Sequence, residues 1–245
     1  MRRSLVLTAV LTATLPFGLL LALTAFAQDD AKAAMQEKLA EVKASQAQNK
    51  KNMATYTWQE QDTISLKGEV KKVEKFQVHV GPDGKPVKAP LDAPAAAAAP
   101  SGGGGRGGRL KEHVVEKKKE EFADYGHQIA ALAQEYAKPD PEKLQQAAQA
   151  GNVKMGAGKM PDEVALTVTS YLKPNDTMTI AFNKNEKAIQ NVQIASYLDD
   201  PKDAVRVMIQ FAKLPDGTNH VASMVIDGVS KQLNVAVQNS NYNKM

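Results

Sequence analysis

From residue 164 to residue 237 apolar and polar side chains alternate, and a period of two commits this stretch to extended strands with one buried face. Val164, Leu166, Val168 and Leu172 share a face of one strand, Met178, Ile180 and Phe182 a face of the next, and Val192, Ile194 and Leu198 follow. Asp199-Asp200-Pro201 breaks the run. Val205, Val207, Ile209 and Phe211 then alternate with Arg206, Met208 and Gln210, and Leu214-Pro215-Asp216-Gly217-Thr218 turns the chain into Val221–Ile226. This is the clearest hairpin signal in the chain. Asp227-Gly228 predicts a further turn into a last strand carrying Leu233, Val235 and Val237.

Strand chemistry also occupies residues 56–91. Tyr56, Trp58, Ile64 and Leu66 fall in one extended segment and Val70, Phe76, Val78 and Val80 in a second, with Lys67-Gly68 between them. Gly81-Pro82-Asp83-Gly84 joins a φ-restricted proline to a glycine free to take positive φ, so a third short strand is expected near Val87. The glycine, proline and methionine residues of 151–161 read as a loop.

Helical periodicity is confined to two blocks. Met35, Leu39, Val42, Gln46, Asn49 and Met53 follow one stripe of a helix over 30–53, apolar only in its first half. Leu110, Val114, Phe122, Tyr125, Ile129, Leu132 and Tyr136 form a second stripe, ended by Pro139. Asp140-Pro141-Glu142 then supplies an N-cap, a proline at the first helical position and an early acid for a shorter helix reaching Gly151. Residues 92–108, with five consecutive alanines and a glycine run, bury too little apolar surface to offset the entropy of ordering them. The expected fold class is α+β: a curved antiparallel sheet of about eight or nine strands, half-open and barrel-like, covered by amphipathic helices.

The N-terminus sets the address. Arg2 and Arg3 precede an apolar run from Leu5 to Phe26, and Ala25-Phe26-Ala27 has the small-x-small pattern of a signal-peptidase site. Cleavage is expected between Ala27 and Gln28, delivering the mature chain to the periplasm or beyond. An uncleaved membrane anchor is the competing reading, since the apolar run is long enough to span a bilayer. Residues 28–245 are then one domain, with a flexible Ala/Pro/Gly-rich loop at 92–109 and a helical insert at 110–151.

Composition and motifs narrow the chemistry. The chain has no cysteine, which rules out disulfides, thiolate metal sites and the acylated cysteine of a bacterial lipoprotein. Two of its 31 basic residues lie in the leader, leaving 29 against 27 acids, so no general attraction to nucleic acid is expected. The four histidines, His79, His113, His127 and His220, show no paired metal-ligand spacing. No G-x-S-x-G elbow occurs, and Gly156-Ala157-Gly158-Lys159-Met160 lacks the elements of a phosphate loop. No enzymatic activity, cofactor or metal is expected.

An exported N-terminal helix, a first strand containing Tyr56-Thr57-Trp58-Gln59-Glu60, and a long antiparallel meander with intervening helices resemble the periplasmic lipoprotein-carrier and outer-membrane lipoprotein-sorting superfamily. The resemblance covers roughly residues 30–91 and 160–245, and the segment 92–160 departs from it. It implies an unclosed barrel that shields acyl chains, and hence a lipid or lipoprotein as partner. An apolar ligand held between sheet and helices would be lined by Trp58, Phe76, Ile180, Phe182, Ile209 and Phe211. The alternative is a cell-envelope structural or interaction module acting through the Leu110–Tyr136 helix or an edge strand.

Overall fold

The computed structural model describes residues 47–91, 108–137 and 141–245. The leader, the cleavage site, the first part of the 30–53 helix and the core of the alanine- and glycine-rich segment lie outside these. Residues 47–53 are helical. There follow β1 (Tyr56–Leu66), β2 (Glu69–Val80), β3 (Pro86–Pro90), α1 (Gly108–Ala137), α2 (Pro141–Gln149), β4 (Val153–Ala157), β5 (Glu163–Thr169) and β6 (Thr177–Asn183). β7 (Ala188–Tyr197), β8 (Ala204–Lys213), β9 (Asn219–Gly228) and β10 (Leu233–Lys244) complete the chain.

All ten strands join one antiparallel sheet in the order β3-β2-β1-β10-β9-β8-β7-β6-β5-β4, curved but not closed into a barrel. Consecutive hairpins generate every neighbour pair except β1 with β10, which run alongside each other from Tyr56↔Lys244 to Leu66↔Leu233. The β1–β2 turn lies at Lys67 and Gly68, both at positive φ (54° and 80°), the geometry whose twist suits a two-residue hairpin.

The sheet's inner face carries the core. Val168, Met178, Val192, Val205, Ile226 and Val235 are buried there, together with Leu144, Ala147 and Ala148 of α2 and Tyr125, Ile129, Leu132, Ala133 and Tyr136 of α1. The stripe of α1 is therefore buried on its own sheet over residues 125–136, which removes that part of the helix as a free docking surface. No helix among the described residues is long and apolar enough to cross a membrane.

Three expectations are corrected. The 151–161 segment contains β4, whose residues after Val153 are mostly exposed; an edge strand with no buried alternate face carries no period-two signal. Leu172 lies beyond the end of β5, because Ser170 at φ 53° turns the chain out of the sheet. Asp227-Gly228 is not a turn: Gly228 pairs with Val205 and Leu233, and the chain reverses at residues 229–232.

The glycine at 228 answers to packing. A Cβ there would lie 2.4 Å from Cε1 of Tyr125, so its absence lets α1 settle on β9. Gly228→Ala is expected to destabilise the protein by about 1–3 kcal/mol through overpacking. Urea denaturation would measure this, and a loss below about 0.5 kcal/mol would mean that Tyr125 moves aside freely.

Candidate functional site

Along the inner face of β1 the residues are Tyr56, Trp58, Glu60, Asp62, Ile64 and Leu66. Two carboxylates thus stand in a row that is otherwise aromatic or aliphatic. Both are buried, Asp62 to 4% exposure. Burial of this kind is stable only with a compensating charge. Lys88 of β3 supplies it: its side chain is 6% exposed, Nζ donates to Glu60 Oε1, and it lies 3.6 Å from Asp62 Oδ2. The register places Lys88 opposite Val78, and Val78 opposite Trp58, so the ammonium reaches across β2 and passes over the Phe76 ring at 5.4 Å. Glu74, opposite Asp62, is paired with Lys72 at 2.9 Å.

One cation between two buried acids leaves the group short of positive charge. Burial pushes the Asp62 carboxyl up to about 7; Lys88 opposes the rise, and Glu60 and Glu74 add to it. A carboxyl whose folded pKa is raised binds its proton more tightly when folded than when unfolded. The stability it contributes is therefore complete below its ordinary value near 3.8 and is lost as pH climbs through about 7. Asp62→Asn is expected to cancel that loss, leaving the variant more stable than the parent by about 1–3 kcal/mol near pH 8 and nearly equal to it below about pH 4. Urea midpoints at both pH values would decide it; parallel pH profiles would show that Asp62 does not titrate in this range.

Beside the acids stands an aromatic wall. Trp58 stacks on Tyr242 with centroids 5.7 Å apart and planes at 16°, while Tyr56 meets the same ring edge-on at 6.5 Å and His220 lies 4.2 Å from it. Tyr242 gets there by a bulge. Leu233, Val235, Val237 and Asn239 occupy alternate positions of β10, but Thr57↔Asn243 and Gln59↔Ser240 bracket one extra residue, with Asn241 at φ 53°. The extra residue shifts the alternation and turns Tyr242 to the face that Trp58 occupies.

The pairing of β9 with β10 ends at Ser223↔Gln238. Beyond it, Asn239 Nδ2 and the Tyr242 hydroxyl both donate to Val221 O, at 2.9 and 3.2 Å. Burial, followed by the nearby Glu60 charge, raises the pKa of the Tyr242 hydroxyl, and burial lowers that of His220. Both rings are therefore neutral at physiological pH. At the margin the Tyr56 hydroxyl donates to Asp216 Oδ2 at 2.6 Å, and Lys244 Nζ lies 5.7 Å from the Tyr56 ring centre.

Four buried polar atoms find no hydrogen-bond partner among the described residues: Trp58 Nε1, Asp62 Oδ1, Asn239 Oδ1 and Thr218 Oγ1. Three belong to one patch, since Trp58, Glu60 and Asp62 succeed one another on β1 and Asn239 faces Glu60 from β10. Such orphaned atoms are uncommon in a plain structural core. The 47–53 helix lies across the end of this region, where Asn49 exchanges two hydrogen bonds with the backbone of Asn219 (2.6 and 2.8 Å) and Met53 packs on the Trp58 cluster.

The six lining residues expected from the sequence divide between two places. Trp58 and Phe76 meet in a small cluster with Val78, bordered by Val80 and Tyr242. Ile180 and Ile209 are sealed in the main core beneath α1 and α2, Phe211 packs at its edge, and Phe182 is half-buried. Reading the apolar positions alone missed Glu60, Asp62, Lys88, Asn239 and Tyr242. The acids were visible as charges occupying the apolar parity of β1. Lys88 needed the sheet register, and Tyr242 needed the bulge. Among the described residues no three His, Asp or Glu side chains are placed to hold a metal ion.

No family model and no curated protein matches this chain. Among solved structures it is similar to a DUF1329 family protein from Desulfovibrio piger, at 12% identity over 83% of this chain and 90% of that one, with a TM-score of 0.41. A likeness this loose carries no argument about function, and it does not bear out the lipoprotein-carrier resemblance.

Proposed function

We propose that the protein is an exported, non-enzymatic binding protein that holds a lipid-like ligand, a lipid or a lipoprotein acyl chain, on the inner face of its half-open sheet. The observation that carries the proposal is the patch of unpartnered polar atoms beside Trp58, Phe76 and Tyr242. An apolar body lying on the rings and a polar end meeting those atoms would satisfy both surfaces at once. The ligand belongs at the β1–β2–β10 end, because the stretch around Ile180 and Ile209 is filled by α1 and α2. Helix 47–53, held at Asn219, is the element that would have to yield for entry.

Native mass spectrometry of the mature protein purified from its own envelope, with lipid extraction of the bound fraction, tests this. Retention of an amphipathic molecule, lost on Trp58→Ala, is the expected result. A protein that emerges empty, and whose Trp58 emission does not respond to added lipids, overturns it.

A further inference from the structure

We infer that the polar end of the ligand is a cationic amine, seated in the patch of β1 and β10 that holds Asp62 and Asn239, with Trp58 further along the same face of β1. This rests on the binding-protein reading above and specifies its head group.

The donor and acceptor inventory points that way. Of the three orphaned atoms in the patch two are acceptors, Asp62 Oδ1 and Asn239 Oδ1, and one, Trp58 Nε1, is a donor. An ammonium brings several donors and no acceptor, so it matches acceptors of this kind and can rest on the face of an aromatic ring. The rings here already keep such company: Lys88 Nζ lies over Phe76 and Lys244 Nζ over Tyr56. A carboxylate or phosphate would instead add negative charge beside Glu60 and Asp62, both buried.

Charge balance makes the same choice. Among the described residues, the charged groups facing Asp62 are Glu60 on its own strand, Glu74 of β2 with its partner Lys72, and Lys88 of β3; its partner on β10 is Val237, which brings no charge. Lys88 is shared between two carboxylates, so the ionised form of the patch lacks one positive charge. A proton on Asp62 is one remedy and a bound ammonium is another, so amine binding displaces a proton and strengthens as pH rises.

The chain's single tryptophan, Trp58, is the reporter. Its emission would be titrated in the full mature protein with octylamine, octanol and octanoate, which share a tail and differ in head. Octylamine is expected to bind about tenfold more tightly than octanol, with octanoate weakest. Its affinity should rise between about pH 6 and about pH 8 in the parent and stay flat in Asp62→Asn. Equal affinity for amine and alcohol, or preference for octanoate, overturns the head-group assignment and leaves lipid binding standing. Silence toward all three compounds overturns both. Should Asp62→Asn fail to fold, the ranking of the three heads in the parent still decides.

Discussion

Replacing Lys88 with methionine is expected to cost the protein about 3–5 kcal/mol near neutral pH, a large part of the roughly 5–15 kcal/mol typical of a domain. Methionine keeps much of the lysine stem, so packing against Phe76 is largely conserved and the change isolates the charge. What remains is Glu60 and Asp62, both buried, without the ammonium that lies between them. Removing one partner of a buried ionic group leaves the others unsolvated and uncompensated, which is why the cost far exceeds that of an exposed pair such as Lys85 with Asp83. The penalty should shrink as pH falls through about 7, where the Asp62 carboxyl can take up a proton instead. Urea denaturation at neutral and acid pH would read both effects. A loss below about 1 kcal/mol, unchanged by pH, would show that the triad is solvated like a surface pair.

The second large effect is expected at Asp176, only 1% exposed. Its carboxylate accepts from the backbone N–H groups of Tyr171 (2.6 Å), Leu172 (2.8 Å) and Lys173 (2.8 Å), and from the Tyr136 hydroxyl, which also sits 2.8 Å from Ser196 Oγ. One side chain thus organises the turn between β5 and β6 and fastens it to the end of α1. Asp176→Ala leaves the three backbone donors without an acceptor and the Tyr136 hydroxyl with Ser196 alone, at a cost of about 3–5 kcal/mol. Tyr136→Phe removes the hydroxyl with its contacts to Asp176 and Ser196 but leaves the three backbone donors satisfied, and should cost only about 1–2 kcal/mol. Thermal unfolding of both variants checks the contrast. Equal losses would mean that the turn takes its shape from the chain alone.

Much of the fold was legible because a half-buried strand repeats every two residues. β6 to β8, and β9 up to Ile226, declare themselves through residues such as Met178, Ile180, Val205 and Val207. The signal vanishes where one face is not buried, so β4 reads as a loop. It misleads where a residue serves two purposes, as at Gly228, which resembles a turn residue and is a seat for Tyr125. The candidate site was half legible. Trp58 and Phe76 both stand out as aromatic residues in strand-like segments, but two carboxylates placed two apart in a strand match no metal, dyad or nucleophile pattern. Their meaning depends on Lys88, which lies 28 positions from Glu60 and is brought to it by two strand registers.

The pairing of β1 with β10 has a consequence for how the chain assembles. Seven strands, β4 to β10, can form by successive local hairpins, whereas β1 to β3 must wait for β10, the described strand furthest from them along the chain. Thr55 O accepts from Met245 N at 2.7 Å, so the two ends of the sheet's path meet at that seam. Closing a loop of this length is slow compared with hairpin formation, and it exposes the early hairpin to mispairing in the interval. A circular permutant joining the end of β10 to the start of β1 would turn the sheet into an uninterrupted meander, and its refolding rate would rise as that delay disappeared.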